Sequence, residues 1–587
     1  MERMTEKWIL QTKKADFGEI AEKFNINPVV ARVIRNRDVV GNDEIEKYLD
    51  CDINTLSSPW LFKDMDKAVD ILKIKIAGHD KIRIISDYDV DGICSAYILN
   101  KALETLGADV DVVVPHRVDD GYGINEGLIK DAKDAGVDTI VTCDNGIAAI
   151  DQVDYAKELG LTVIVTDHHE VPFAEVDGVK EYTVPNADAI INHKQSDCEY
   201  PFKDLCGAMV AYQFMRALYE SMEEDTKKLE GLLVYGAMAT VCDVVSLRGE
   251  NRTIVKTGLE LLKTTKDIGI NALIDACKIN KNNIGSYHFG FILGPCLNAS
   301  GRLDTAKRAV DLLNETDKDK AMADAKKLKT LNDERKDITE NGAKQAIEKA
   351  KEMEDRVLVI YLPDCHESVA GIIAGRVKEF YNKPTIVLVD SEDCVKGSGR
   401  SIDEYNMYES LSKVKDLFLK FGGHKMAAGL SIEKDKIDEL RTKLNEQCEL
   451  TEEDLMKKIW VDCELPFKYV TFGLLNDLKK LEPFGVGNKK PIFAGKHIDV
   501  KRLKIMGKEG NVIRLEMSDE SDIRIVGVMF NKSKRFMEFL KNKFGQDEID
   551  KAMQGQTNEI KFMALYYPNV NSYNGKEYLQ LIIESFY

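Results

Sequence analysis

The sequence predicts a multidomain α/β protein: a doubly wound parallel sheet, a long connecting helix, a second smaller α/β domain and a C-terminal β-barrel. Three observations predict it. Helical and strand-like segments alternate from about residue 65 to 166, four short apolar runs end abruptly in acidic residues, and beyond about 456 the pattern becomes polar-apolar alternation broken by turns. Helix-strand alternation marks parallel strands joined by crossover helices, whereas period-two alternation marks antiparallel strands with one wet face.

Residues 1–58 form a helical lead-in, because NPVVARVIRNR and DEIEKYL carry apolar residues at three-to-four spacing; it is expected to pack on the main domain. The main domain spans 59–316. It reads as helix (MDKAVDILKIKIAG), strand (KIRIIS), helix (ICSAYILNKALETLG), strand (DVDVVVP), helix, strand (TIVTC), helix (AIDQVDYAKELG) and strand (TVIVT), with Leu-, Met- and Ala-rich helices from about 205. The charged stretch 317–354, with Gly342 as its one glycine and no proline, predicts a long connecting helix. RVLVIYLP and KPTIVLVD place a second α/β unit over 355–455. VKRLKIMGKEGNVIRLEMSD and DIRIVGVMF alternate, so 456–587 reads as antiparallel strands closing into a small barrel.

At 587 residues the chain exceeds one core and divides into roughly three or four domains. Hydrophobic residues make up 44% and charged residues 31%, the balance of an ordinary globular protein. No apolar run reaches the roughly 20 residues that span a bilayer, and MERMTEKWILQTKK has no signal-peptide core, so no membrane association and a cytoplasmic location are expected. The twelve cysteines are scattered without a C-x-x-C pair, which fits buried free thiols in a reducing compartment and argues against zinc fingers. A net charge of −18 excludes a uniformly basic surface, but a local positive groove suffices to bind nucleic acid.

The acidic run ends are KIRIISDYDVDG (81–92), DTIVTCDNGI (138–147), LTVIVTDHHE (161–170) and AMATVCDVVSL (237–247). Read as four strand ends, they bring Asp87, Asp89, Asp91, Asp144, Asp167, His168, His169 and Asp243 to the rim where open α/β sheets bind ligands. So many carboxylates on one edge repel one another unless divalent cations neutralise them. Each motif also has a bland reading: a solvated Asp-rich turn, a strand-to-helix turn at Asp144, or a helix-capping Asp167 beside two surface imidazoles. An EF-hand is a poor fit to D-Y-D-V-D-G, because the twelfth position from Asp87 is Ile98 and a strand precedes the motif. Asp243 sits between apolar neighbours, where an unpaired carboxylate is costly and a ligand role is favoured.

Here the chain resembles the DHH phosphoesterases, named for Asp-His-His, and within them the RecJ branch of single-strand-specific exonucleases. The resemblance continues through PHRVDDGYG (115–123), YPFKDLCGAMVAY (200–212), PCLNASGRLDTA (295–306), LNDERK (331–336), CHESVAGIIAGRVKEFYNKPTIVL (365–388), GSGRSI (397–402), FGGHKMAAGL (421–430), LEPFGVGNKKPIF (481–493) and NSYNGKEYLQLII (571–583). It departs at CHES, at Cys242 and at Asn192-His193, none of which removes an expected ligand. It implies a DHH domain over 59–316, a DHH-associated domain over 355–455 and an OB-fold over 456–587. It also implies two Mn2+ or Mg2+ ions on Asp89, Asp91, Asp144, His168 and Asp243, with Asp87 as a further candidate. Such a pair turns water into a nucleophile and stabilises both oxygens of an in-line attack on phosphorus, and an oxygen-rich set with one imidazole suits these ions.

The same resemblance assigns catalytic roles to Asp167, His169 and His424, with His168 on metal and His169 on phosphate. It assigns substrate contacts to Arg117, Asn298, Arg302, Ser398, Arg400, Gly422 and Gly423. Arginine forks suit a 5′-phosphate, although an ordinary salt bridge is an equal alternative for any one of them. Tyr122 is a candidate stacking surface, as are Tyr566, Tyr567 and Tyr573 in the barrel, where core packing competes. The expected activity is 5′→3′ hydrolysis of single-stranded DNA to 5′-mononucleotides in recombination and repair. The expected enzyme is a monomer, with a helicase and a single-strand-binding protein as further partners. Alternatives are a short-oligonucleotide or cyclic-dinucleotide phosphodiesterase, and an inactive replication scaffold.

Overall fold

A computed structural model describes residues 6–117, 120–121, 123–176 and 179–587. The chain divides into two compact units: 53–457, and a second made of 6–52 with 458–587.

The first unit holds two sheets. Five parallel strands lie in the order Val110–Val113, Ile82–Ser86, Thr139–Cys143, Thr162–Thr166, Ala189–Ile191. Their Val- and Ile-rich runs are buried on both faces, as crossover helices require. Ile84, Val141 and Ile164 point into one core cluster, and Ile85, Ile140, Val163 and Val165 into another on the opposite face. Numbered along the chain the order is 2-1-3-4-5, so the winding reverses between Ile82–Ser86 and Thr139–Cys143, and a crevice opens there at the C-terminal ends.

One expected strand is a helix. AMATVC lies within Leu233–Cys242, because a short apolar run buried on all sides carries no periodicity to tell the two apart. The connecting helix spans Lys318–Ala350 and buries a stripe of small residues, among them Ala321, Ala325, Ala343 and Ala346. It packs on the helices Ile268–Ala276 and Gly294–Leu303 of the first sheet's half and on Glu367–Tyr381 of the second. The second sheet pairs Leu358–Tyr361 and Thr385–Asp390 in parallel and continues antiparallel through Val395–Arg400, Ala427–Ile432 and Phe418–His424.

In the second unit, strands Phe493–Met506, Val512–Ser518, Arg524–Phe530, Lys576–Phe586 and Lys561–Tyr573 pair in succession, and the last pairs back to the first. The expected barrel is therefore closed. Tyr566 is core, donating to the Leu465 carbonyl, and Lys490 covers the Tyr567 ring at 3.6 Å; Tyr573 alone of the three is strongly exposed. The lead-in does not pack where expected. Residues 6–52 belong with the barrel: Ile26, Val30, Val33 and Ile34 share a core with Leu465, Leu474 and Phe493. Arg37 binds both oxygens of buried Asp462 at 2.7 and 3.1 Å. Amphipathic spacing identifies a helix but not the surface that receives it.

Candidate metal centre and an adjoining arginine pocket

Strand register builds the rim. Ser86 is level with Cys143, and Cys143 with Thr166, so Asp87, Asp144 and Asp167 leave the sheet side by side at the winding reversal. Asp89 caps helix Val90–Thr105, its Oδ1 accepting from the amides of Asp91 (2.9 Å) and Gly92 (3.2 Å). Asp91, in the first turn of that helix, accepts from the amides of Gly207 (2.6 Å) and Ala208 (2.7 Å) that open helix Gly207–Ser221. The positive end of that helix favours the carboxylate. A Cβ on Gly207 would come within 2.9 Å of the Asp144 side chain, so only glycine lets the helix end close over the rim.

Asp144 holds a left-handed backbone (φ 61°), braced by the Asn145 side chain, which donates to the carbonyls of Ile85 and Cys143. Asp243 follows helix Leu233–Cys242 as its C-cap. The next residue, Val244, is β-branched at φ 62° and exposed, a strained conformation costing on the order of 1–3 kcal/mol. Strain of that kind marks a turn held for where it sends its neighbour.

The ligand atoms fall into three overlapping groups, each within 4.8 Å: Asp87, Asp89 and Asp144; Asp91, His168 and Asp243; Asp144, His168 and His169. His168 Nε2 lies 3.1 Å from Asp144 Oδ1 and 3.5 Å from Asp91 Oδ2, and its Nδ1 lies 3.8 Å from Asp243 Oδ2. Burial, and then the charge of neighbouring aspartates, pushes Asp87, Asp89, Asp144 and Asp243 above the usual carboxylate range. Burial holds His168 below its ordinary value, so its imidazole is neutral and able to ligate. Among the described residues, the buried Oδ1 of Asp87 has no hydrogen-bond partner. An orphaned oxygen among crowded carboxylates with one neutral imidazole fits a hard divalent cation.

Asp167 stands apart from these groups. Its Oδ1 accepts from the amides of His168 (2.7 Å) and His169 (3.1 Å) and meets His169 Nδ1 at 2.7 Å, while Oδ2 accepts from the Ile147 amide at 2.9 Å. Burial alone would raise its pKa, but the hydrogen bond and charge of His169 bring it down to about 2. The same pairing, against burial, lifts His169 to about 9. Asp167 thus orients its two successors, and His169, 45% exposed, is left as a fixed imidazolium at the rim.

Beside this centre lies a cavity of about 520 Å³ lined by Tyr88, Arg117, Arg302, Ser398, Arg400 and Gly422, with Lys396 and Lys420 at its wall. Arg302 donates to the Ser368 carbonyl (2.6 Å), Arg400 to Ser398 Oγ (3.1 Å) and the Gly399 carbonyl (2.7 Å); these bonds go to neutral acceptors rather than to carboxylates. Burial, then Arg117 and Arg335, lowers Arg302 to about 10, and burial, then Arg117, lowers Arg400. The guanidiniums crowd one another as the carboxylates do next door. Helix Glu367–Tyr381 presents its N-terminal turn to the cavity, and Gly371 leaves the space Arg400 occupies, since a Cβ would come within 2.6 Å of its guanidinium. Glu367, also in the wall, is paired with Lys396 at 2.9 Å.

Two expected substrate residues, Asn298 and Gly423, and the expected catalytic His424 lie outside the cavity wall. Asn298 is not in the cavity wall; its Oδ1 accepts from the Val90 amide at 3.1 Å and so holds the D-Y-D-V-D-G turn. Gly423 and His424 lie exposed at the end of their strand, beyond Gly422, where the lining stops. Tyr122 lies outside the described residues. His193, a departure noted in the sequence, is buried against Lys203 O (2.9 Å) with its pKa held down to about 3 by burial and then Lys194. Tyr88 escaped notice: it sits between two aspartates of the rim, lines the cavity, and carries Arg117 over its ring at 4.5 Å. Its place in D-Y-D was the available signal, since alternate residues of a turn face opposite ways.

Family models match at 81–237 (DHH family, N-terminal domain), 354–450 (DHHA1 domain) and 461–585 (RecJ OB domain). The single-stranded-DNA-specific exonuclease RecJ of Bacillus subtilis is 34% identical over 90% of this chain, which spans 66% of that protein's length. Those of Dickeya dadantii and Haemophilus influenzae are 30% and 31% identical, covering 98% and 96% of this chain and 99% and 97% of their own lengths. The crystal structure of RecJ in complex with Mn2+ from Thermus thermophilus has a TM-score of 0.82 over 100% of this chain and 80% of that one, at 22% identity. A manganese-bound exonuclease RecJ structure shares 28% identity over 67% of this chain and 98% of its own, with a TM-score of 0.58. With near-full-length relatives at 30% identity and all three domain types in order, the chain belongs to the RecJ family of DHH proteins.

Proposed function

We propose that this protein is a metal-dependent exonuclease that hydrolyses single-stranded DNA from its 5′ end to 5′-mononucleotides, in recombination and repair. The observation that carries the reading is Tyr88, which joins a crowded set of carboxylates to a crowded set of guanidiniums through a single residue. The first set fits cations and the second a phosphate, and their adjacency puts the bond to be cut next to the terminal phosphate. The relatives' names as single-stranded-DNA-specific exonucleases, and the Mn2+ and Mg2+ of the Thermus thermophilus structures, support it.

Asp87, Asp89, Asp91, Asp144, His168 and Asp243 would hold two Mn2+ or Mg2+ ions, which supply an activated water and charge neutralisation at phosphorus. Asp144 and His168 each belong to two of the three ligand groups, so they would tie the set together. His169, kept protonated by Asp167, donates toward a non-bridging phosphate oxygen through Nε2. Arg302 and Arg400, with Ser398 and the helix end at Glu367, seize the 5′-phosphate and fix its distance from the rim. The barrel, a fold used for single strands, supplies a further nucleic-acid-binding module. All twelve cysteines are free thiols, in keeping with the cytoplasm. A helicase and a single-strand-binding protein are proposed partners, and the enzyme is proposed to act as a monomer.

The test uses 5′- and 3′-labelled single strands and a dinucleotide, with Mn2+ and with chelator. Metal-dependent release of labelled mononucleotide from the 5′-labelled strand is expected. A preference for dinucleotides would favour the short-oligonucleotide alternative, and an absence of both divalent binding and cleavage would favour the inactive scaffold.

A further inference from the structure

The twelve free thiols include one close pair. Cys277, which ends helix Ile268–Ala276, and Cys296, inside helix Gly294–Leu303, stand 19 residues apart in sequence with their sulfurs 3.7 Å apart. The pair is asymmetric. Cys296 is fully buried and accepts a hydrogen bond from the Asn332 side chain at 3.3 Å, whereas Cys277 is partly exposed. The contact with Cys296, against burial, and then Lys329 and Lys336 hold the Cys277 thiol below its ordinary pKa, while that contact and burial drive Cys296 upward. A reachable, acidified sulfur backed by a buried one is the layout of an attacking and a resolving thiol.

The pair is wired to the site. Three turns of one helix carry Cys296, then Asn298, which holds the Val90 amide, then Gly301, whose Cα packs under the Tyr88 carbonyl, then Arg302 in the arginine pocket. A disulfide needs its sulfurs at about 2.05 Å. Closing the gap from 3.7 Å draws this helix toward Cys277.

We propose that Cys277 and Cys296 form a peroxide-reactive dithiol site whose closure to a disulfide displaces the Asn298–Arg302 turn and slows hydrolysis. The Cys277 thiolate attacks one peroxide oxygen; the O–O bond breaks, leaving a sulfenic acid and, after protonation, water. The Cys296 sulfur then attacks the Cys277 sulfur, the S–S bond forms as the S–O bond breaks, and the hydroxyl leaves with the Cys296 proton as a second water. Two thiols are oxidised and one peroxide is reduced. A dithiol reductant reverses the bond.

The effect on hydrolysis rests on the function proposed above; bond formation does not. The full-length protein is treated with hydrogen peroxide, alkylated without reduction and mapped by mass spectrometry. A Cys277–Cys296 cross-linked peptide is expected, with hydrolysis of single-stranded DNA slowed about tenfold, the scale of a sub-ångström misplacement, and restored by dithiothreitol. Cys277→Ser should keep its activity through the treatment, and Cys296→Ala should accumulate a dimedone-trappable sulfenic acid at Cys277. Recovery of both cysteines as alkylated thiols, or of Cys277 as sulfinic acid without a cross-link, overturns the site. A cross-link that leaves the rate unchanged, or equal inhibition of Cys277→Ser, overturns the control. Should untreated protein cleave no strand at all, the function proposed above fails, and the cross-link still decides the site.

Discussion

Two regions of this protein bury charge, and they do so in opposite ways. At Arg37 and Asp462 a guanidinium meets a carboxylate at 2.7 and 3.1 Å, and the surplus capacity is taken up by the Asn36 side chain, the Ile492 amide and the Lys489 carbonyl. At the sheet rim, carboxylates of one sign crowd together, and an oxygen of Asp87 is left over. The first cancels in charge and fastens the lead-in to the barrel. The second does not cancel, and its sum of like charges is a statement about what binds there. A buried charge cluster is read by whether its sign cancels, not by how deeply it lies.

The sharpest way to break this contrast is to remove charge from each. Asp144→Asn should reduce cleavage of single-stranded DNA on the order of a thousandfold, as loss of a preorganised electrostatic group does. In chelator the same variant should melt above wild type, since one repelling charge is gone; a lower melting temperature would make Asp144 a structural residue. Asp462→Ala should cost about 3–5 kcal/mol in urea unfolding of its unit, because Arg37 is left buried and unpaired, while Mn2+ affinity stays unchanged.

Proton linkage gives the next effect. The rim carboxylates have folded pKa values above their unfolded ones, so without metal their contribution to stability is lost as pH rises from about 4 through neutral. Thermal melts in chelator should fall over that range, with stabilisation by Mn2+ growing with pH; a flat profile would contradict the charge crowding. Arg302→Ala should lower the preference for 5′-phosphorylated over unphosphorylated strands by about tenfold, the worth of one charge-assisted contact. The smallest effect is expected at Asp167 and His169, a cancelled pair inside the rim. His169, raised to about 9, stabilises fully below about pH 6.5 and loses this as pH passes 9; Asp167, lowered to about 2, stabilises above about pH 4 and loses this toward 2. Melting of His169→Gln should therefore differ most from wild type between those limits, and a constant difference across pH would remove the ion pair from the account.

The sheet and its acidic rim were legible because both depend on local sequence. Apolar runs closed by Asp fix strand ends, and register then brings Asp87, Asp144 and Asp167 level. What escaped depends on contacts between distant segments. The run before Asp243 was helical, since burial on every side hides the period. Asn298 looked like a substrate ligand because a polar residue beside Arg302 offers no sign of which backbone amide it will meet 208 positions away. The lead-in's destination was equally unreadable: its apolar stripe matches any core, and only the Arg37–Asp462 pair, 425 positions apart, makes the choice specific.

The carboxylate of Asp91 is tied by the amides of Gly207 and Ala208, and the ligand set is not whole until Asp243. A chain emerging from the ribosome carries the D-Y-D-V-D-G aspartates early, yet they lack their anchor until more than a hundred further residues have been made. On the metal site proposed above, capture of the ions would come late in synthesis. A chain arrested before Asp243 would then lack a full ligand set and would leave the nucleic acid around it uncut.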